Sequence, residues 1–288
     1  MPTTVRLLSA VQLMPHPERI ATLTSGLLAL ALSASGAAAQ TDYYNTDAGR
    51  PITIEDAYPI ERRALELQLA PLRLERARGG LYAWGIEPEI AIGLLPRTQF
   101  EVGFPLVYSD LGAGMRSAGL AGVEIGALHN LNVETRLPAL AIAAEVLLPA
   151  GPLGPDEAYP SVKGIATKTF TWARFHVNGQ YTFGDDLTPT EIDGGGHGAA
   201  ELSRWMGGIA IDRPFPLESL LITAELVARQ PLVDGAELAW DAAAGARYQL
   251  SPRLAVDGGA GHRLTGDGGW FVTFGAALAI GIPWTGTR

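Results

Sequence analysis

Arg174-Phe175-His176-Val177-Asn178-Gly179-Gln180-Tyr181-Thr182-Phe183 alternates without a break. Phe175, Val177, Gly179, Tyr181 and Phe183 share one face, and Arg174, His176, Asn178, Gln180 and Thr182 share the other. A period of two with one apolar and one wet face is a β-strand. One such strand fits a soluble sandwich as well as a barrel, so its neighbours must decide.

On either side of this stretch, alternation dominates from residue 64 onward, and no helical period is sustained after the first 40 residues. Tyr82, Trp84, Ile86, Ile90 and Ile92 alternate with Glu87, Glu89 and Gly93, and Phe100, Val102, Phe104, Leu106 and Tyr108 follow Pro96-Arg97-Thr98. Strands are expected at about 64–75, 81–95, 99–108, 119–129, 138–148, 161–169, 174–183, 202–212, 219–229, 237–249, 253–263 and 269–282. That makes an even set of about twelve, as in an outer-membrane-type antiparallel β-barrel. The weakest are the first, where Pro71 shifts the register, and the sixth, where alternation around Lys163 and Lys168 is poor.

Connection lengths and aromatic placement point the same way. Pro96-Arg97-Thr98, Phe170-Thr171-Trp172, Arg213-Pro214-Phe215-Pro216 and Ser251-Pro252 make short turns, while residues 109–118, 149–160 and 184–201 make long loops. Barrels of this class keep short turns on the periplasmic side and long loops outside. Residues 130–137 and the short 76–80 connection fit this rule less well. Tyr82, Trp84, Tyr108, Tyr181, Phe183, Trp205, Trp240 and Trp270 gather near outer strand ends, and Phe100, Trp172, Phe175, Tyr248 and Trp284 near inner ones. Two interfacial girdles are expected from that pattern.

The first residues read as a secretory leader: Arg19 closes a charged part, Leu27, Leu28, Leu30 and Leu32 form an apolar core, and Ala37-Ala38-Ala39 precedes Gln40. Residues 1–39 are therefore expected to be a signal peptide, 40–62 a periplasmic lead-in and 63–288 a transmembrane barrel in a bacterial outer membrane. Losing Arg6, Arg19 and Glu18 with the leader takes the 21 basic and 30 acidic residues to 19 and 29, and the formal charge from −9 to −10. Such a chain offers no phosphate-neutralising surface, so no nucleic-acid partner is expected. The absence of cysteine excludes disulfides, thiolate metal sites, cysteine nucleophiles and a lipoprotein anchor. The lead-in, with Tyr43, Tyr44, Asp47, Gly49, Pro51 and Pro59, lacks alternation. It reads as a tether in preference to a lumen plug.

With apolar residues facing lipid, their neighbours face the lumen. Glu66, Glu87, Glu89, Glu101, Glu124 and Glu145 come from the first five strands, and Arg174, Arg204, Arg229, Arg247, Arg253 and Arg263 from the seventh onward. His176, Asn178, Gln180, Glu225 and Asp257 are expected to line the lumen with them. Acids and bases on separate arcs set a transverse field that sorts solutes by charge; alternatively the arcs pair and close the lumen. His176 is the one plausible base for chemistry. No serine stands beside it in the alternating pattern, no Gly-x-Ser-x-Gly is present and no two histidines have metal-ligand spacing. Neither catalysis, a metal nor a cofactor is expected.

Pro88-Glu89-Ile90-Ala91-Ile92-Gly93-Leu94, Glu101-Val102-Gly103-Phe104-Pro105-Leu106, Glu145-Val146-Leu147-Leu148-Pro149-Ala150-Gly151, Phe175-His176-Val177-Asn178-Gly179-Gln180-Tyr181 and Asp56-Ala57-Tyr58-Pro59 resemble the outer-membrane protein family of the meta-pathway of phenol degradation. Pro149-Ala150-Gly151 departs from the Pro-Thr-Gly often found there. The resemblance implies a transporter for hydrophobic or aromatic compounds. The expected function is thus an outer-membrane channel for small solutes, with membrane lipid and the outer-membrane assembly machinery as further partners. A lipid-modifying enzyme built on His176, and a closed structural or surface-recognition barrel using the 184–201 loop, are the alternatives.

Overall fold

Strand residues alternate between two environments because the chain buries polar groups inside and presents apolar ones outside. The computed structural model describes residues 46–76, 82–110, 116–187, 202–265 and 268–281. The leader, Gln40, Tyr43, Tyr44, His197, Trp284 and most of the 184–201 loop lie outside these residues. Strand segments β1 (Ala64–Arg76), β2 (Tyr82–Ile86), β3 (Glu89–Leu95), β4 (Thr98–Gly103), β5 (Leu106–Asp110), β6 (Arg116–Leu120) and β7 (Val123–Asn130) make up the first third of the wall. The rest is β8 (Ala139–Leu148), β9 (Tyr159–Thr169), β10 (Arg174–Thr182), β11 (Ser203–Pro214), β12 (Leu220–Pro231), β13 (Ala239–Ser251), β14 (Leu254–Arg263) and β15 (Trp270–Gly281).

All pairings between these strands are antiparallel, and β15 returns to β1 from Ala64↔Gly281 to Arg76↔Trp270, which closes the sheet. Three pairs of segments, β2 with β3, β4 with β5 and β6 with β7, are halves of single staves. The fifteen segments therefore form twelve staves. The interruptions line up. The β1 register slips between Gln68 and Pro71, so β1 pairs with β3 below the slip and β2 above it. The next staves break at Glu87-Pro88, Phe104-Pro105 and Ala121-Gly122, where Phe104 N–H donates to Pro88 O (3.0 Å) and Ala121 N–H to Pro105 O (2.8 Å). Proline has no N–H for a ladder, and Gly122 sits at φ +126°, a conformation that favours glycine. The result is one crease across four adjacent staves.

Outside, Val177, Ile209 and Phe274 are 52%, 57% and 61% exposed, and Tyr82, Trp84, Tyr181, Trp205, Trp240 and Trp270 are exposed near one barrel end. Water would not tolerate an apolar belt of this extent; lipid does. Phe100, Trp172 and Tyr248 are exposed towards the other end, where Phe170 and Trp172 each meet the Phe175 ring edge to face. The turns at that second end are short, apart from residues 131–138.

Candidate functional site

The lumen is occupied by the chain's own residues 46–63. This corrects the expectation of a tether: Arg50, Ile54 and Ala57 are each 0% exposed, deep inside the barrel. The segment has no alternation because it joins no sheet. Its backbone groups must still be satisfied, and wall side chains do this. Glu225 Oε2 accepts from the N–H groups of Thr53 (2.8 Å) and Ile54 (2.9 Å), and Asn178 exchanges bonds with both backbone groups of Glu55 (3.0 and 2.9 Å). Thr167 Oγ1 accepts from Ala57 N–H, Asn130 donates to Ala57 O, Gln99 accepts from Ile60 N–H and Thr273 donates to Pro51 O. Thr46 and Asp56 bond each other, so residues 46–56 close as an Ω-like loop before the chain descends to β1.

The wall is shaped for this loop. A Cβ on Gly208 would lie 2.5 Å from Ile54 Cδ1, and one on Gly245 would lie 2.7 Å from Pro51 Cβ. Glycine is required there by close approach. Ile52 and Ile54 pack with Met206, Ala210, Val227, Ala243 and Phe271, an apolar seat in a polar lumen. Ala57 packs on Leu128, Ala139, Ala141, Ala143 and Ile165. Burying an aliphatic side chain of the size of isoleucine contributes about 1.5–3 kcal/mol.

Ion pairs complete the grip. Arg50 contacts Asp47 (2.5 Å), Asp257 (3.3 Å) and Glu66 (3.7 Å), and Arg247 reaches Asp47 at 2.7 Å. Lys163 bridges Glu55 of the loop (2.6 Å) and Glu145 of the wall (2.9 Å). Arg174 binds Asp212 (2.7 Å) and Asp56 (3.4 Å). Below the loop, Glu134 in the 131–138 turn accepts from Tyr58 Oη (3.1 Å), Thr169 N–H and Thr169 Oγ1 (both 2.8 Å) and pairs with Lys168 (3.0 Å). That turn is longer than the others at this end and reaches under the loop. Burial pushes the Glu134 carboxyl up, but the two Thr169 bonds and Lys168 hold it below the usual carboxylate range. Burial and the facing Glu134 push the Tyr58 hydroxyl up to about 12, so it stays a donor.

Open space remains on both sides of the loop. On the turn side, a vestibule of about 810 Å³ is bordered by Tyr58, Glu61, Glu66, Trp172, Arg174 and Glu218. On the loop side, a cavity of about 210 Å³ lies above Gly49 and Thr53, bordered by Arg73, Glu75, Glu87, Val107 and Arg229.

The register places Glu87, Glu89, Glu101 and Glu145 on the lumen side of the creased staves and β8, with Glu124 among them. Glu89, Glu101 and Glu124 are half-buried, and among the described residues none bonds the loop. Arg174, His176, Asn178, Glu225, Arg247 and Asp257 lie buried against or near the loop. Gln180 faces Ser161 higher up, and Arg204, at a bulge near the outer rim, binds Asp186 (2.6 Å). Arg253 is in the β13–β14 turn, not the lumen.

The expectation of separate acidic and basic arcs needs correction. Asp212, Glu225, Asp241 and Asp257 interleave with the arginines, and Asp241 pairs with both Arg229 (3.0 Å) and Arg263 (3.2 Å). Lys163 stands among the acids. The sequence-based reading missed Lys163, Gln99, Asn130, Thr167 and Thr273 as lumen groups. Polar residues at inward positions, Lys163 among them, were the available signal.

His176 is 1% exposed, its Nε2 lies 3.0 Å from Asp212 Oδ2 and its Nδ1 3.0 Å from Thr167 Oγ1. Both nitrogens are engaged and Thr167 itself is held by the loop, so the imidazole supports the seat and meets no lipid.

The sequence matches no protein-family model and no curated protein. Among solved structures, an outer-membrane channel from Pseudomonas putida F1 is similar, with 13% identity over 81% of this chain and 99% of that one and a TM-score of 0.53. The fold is that of an outer-membrane barrel. The KdgM porin aligns over 75% of this chain and 98% of its own, at 10% identity and a TM-score of 0.47. The NanC porin aligns over 74% and 98%, at 10% identity and 0.46.

Proposed function

We propose that the protein is an outer-membrane channel for small solutes whose passage is restricted by its own 46–63 segment. The observation that carries this reading is a non-covalently held, irregular loop seated mid-lumen, with space above it and a vestibule below. A barrel meant only as an anchor has no need of two chambers separated by a non-covalently seated loop. The resemblance to the phenol meta-pathway family adds hydrophobic or aromatic compounds as the solute class. Export by a cleaved 1–39 leader, with assembly by the outer-membrane machinery, completes the reading. An enzymatic role for His176 is disfavoured by its burial and by the engagement of both ring nitrogens.

Liposome swelling and planar-bilayer recording on the full chain test this, alongside Gly208→Leu, which drives a side chain into the Ile54 seat. Small-solute flux in the native protein, increased in the variant, is the expected result. No flux in either protein, with both correctly folded, returns the barrel to a structural or surface-recognition role.

A further inference from the structure

The 46–63 segment is held in two parts, and the parts are held unequally. Residues 46–56 are bound chiefly by β10 and β12 to β15: Glu225 and Asn178 take their backbone groups, and Arg50 is sealed among Asp47, Asp257 and Glu66. At Ala57 both backbone groups are fixed, by Thr167 and Asn130. Beyond that point the grip changes. Residues 58–63 lean on the creased side, where Ile60 N–H donates to Gln99 (2.9 Å) and Arg63 N–H to Gly93 O (2.7 Å), while Tyr58 Oη donates to Glu134 (3.1 Å). Ile60 is the one buried residue of these six, and Glu61, Arg62 and Arg63 are exposed. A few hydrogen bonds within reach of water have little net strength, whereas a sealed ion-pair cluster cannot be opened without stranding charges. The upper part is an anchor; the lower part can move.

The same six residues form the partition between the two spaces. Their lower side borders the vestibule, with Tyr58, Pro59, Ile60 and Glu61. Their upper side meets Gln99, whose amide donates to Glu101 (2.9 Å), one of the half-buried carboxylates of the space above. At this level the creased wall is dry: Gln99 and Leu128 are buried, and a Cβ on Gly93 would strike the Glu61 carbonyl. The stem backbone therefore lies flush on the wall. Arg63 ends it at φ +69°, a left-handed conformation that is costly for arginine, so the joint with β1 is strained. Below, the vestibule of about 810 Å³ leaves room for the stem to swing.

We propose that residues 58–63 are the gate of the channel, swinging from Ala57 into the vestibule while residues 46–56 stay seated, and that Glu134 is its latch. The 131–138 turn is built to hold a latch still. Asn132 donates to Pro138 O and accepts from Leu140 N–H, both at 2.9 Å, and Lys168 donates to Thr135 O at 2.7 Å. Glu134 thus meets Tyr58 from a fixed support, and closure comes down to one hydroxyl reaching one carboxylate. Opening joins the space along Glu89, Glu101 and Glu124 to the vestibule and leaves the ion pairs of the anchor in place. The proposal rests on the channel reading and names the part that moves.

The chain has no cysteine, so one introduced pair can lock the anchor cleanly. A Cβ on Gly245 would lie 2.7 Å from Pro51 Cβ, about an ångström short of the separation in a disulfide. In full-length Pro51→Cys/Gly245→Cys, bilayer conductance and liposome swelling should be the same oxidised and reduced. Adding Gly93→Ala, which pushes Glu61 off the wall, should raise flux in both states about fivefold or more, the population shift that overpacking brings. Flux that oxidation abolishes overturns the gate and leaves the channel standing, because the whole segment must then leave. Flux unchanged by Gly93→Ala overturns the gate too. No flux in any of these proteins, all folded, removes the channel reading and the gate with it. Should the pair not oxidise, hydrogen exchange decides. Tyr58→Phe and Glu134→Ala should each speed exchange at Ile60 and Arg63 about tenfold, the worth of one hydrogen bond to a carboxylate, with Thr53, Ile54 and Glu55 changed by less than about twofold. The double variant should go little further than Glu134→Ala alone, since both changes remove one contact. Equal acceleration at Ile54 and Ile60, or full additivity in the double variant, overturns the proposal.

Discussion

The two sides of the lumen are built on opposite principles. From β9 to β15 the wall is buried against the loop and matched to it: its carboxylates are met by cations or by loop N–H groups, and its glycines admit Ile54 and Pro51. From β2 to β7 it is creased and half-solvated, and Glu89, Glu101 and Glu124 stand there with no base on the described inward face. A buried charge is tolerated only with a partner, whereas a wetted one needs none. Lumen residues of the same type therefore hold structure on one side and face the open part of the lumen on the other.

Breaking the dry side should have the largest effect. Arg247→Met leaves Asp47 facing Glu66 and Asp257 with Arg50 alone, and removing one partner of a buried pair costs about 3–5 kcal/mol. The measurement is the temperature at which the barrel loses its heat-modifiable gel mobility, expected to fall sharply. An unchanged temperature would show that this side is not the one that grips.

Gly208→Leu comes next, because overpacking typically costs about 1–3 kcal/mol. Its distinguishing sign is loss of protection of residues 50–56 in hydrogen exchange while strand amides stay protected. Equal loss in both would mean the loop and wall unfold as one unit.

On the wet side the sign reverses. Glu124→Gln relieves repulsion among like charges, so stability should be unchanged within about 0.5 kcal/mol or rise. A marked fall in melting temperature would erase the contrast between the walls.

Glu134 offers a test of a different kind, sited outside the membrane. Its folded pKa lies below its ordinary value of 4.5, so its stabilisation is present at neutral pH and is lost as pH falls through the folded value. The difference between the native protein and Glu134→Gln should be about 1 kcal/mol at pH 7 and vanish in acid. A difference that persists at low pH assigns the effect to packing.

The strands were legible in the sequence because alternation is a local property, written within ten residues of itself. The loop was not. Its order comes from Glu225, Asn178, Thr167 and Thr273, which lie 110 to 222 residues away, and no local pattern carries such pairings. Lys163 spoiled the alternation of β9 for the same reason: its partner Glu55 is 108 residues upstream. The crease was half-visible, since Pro71, Pro88, Pro105 and Gly122 recur at equal spacing, but only the pairing of the staves shows that they align. The charge arcs were overdrawn because aspartates inside the basic arc are short side chains whose role depends on which strand lies beside them.

The seat for residues 50–54 is made largely by β12 to β15, whereas the residues it receives precede every strand. The chain must therefore hold its earliest folded residues in waiting until its final strand has met its first, because Thr273, Asp257 and Arg247 are in place only then. Closing so long a span is entropically late and slow. Seating of the loop is in consequence a timestamp: a molecule with Pro51 and Arg50 protected is one whose barrel has finished assembling.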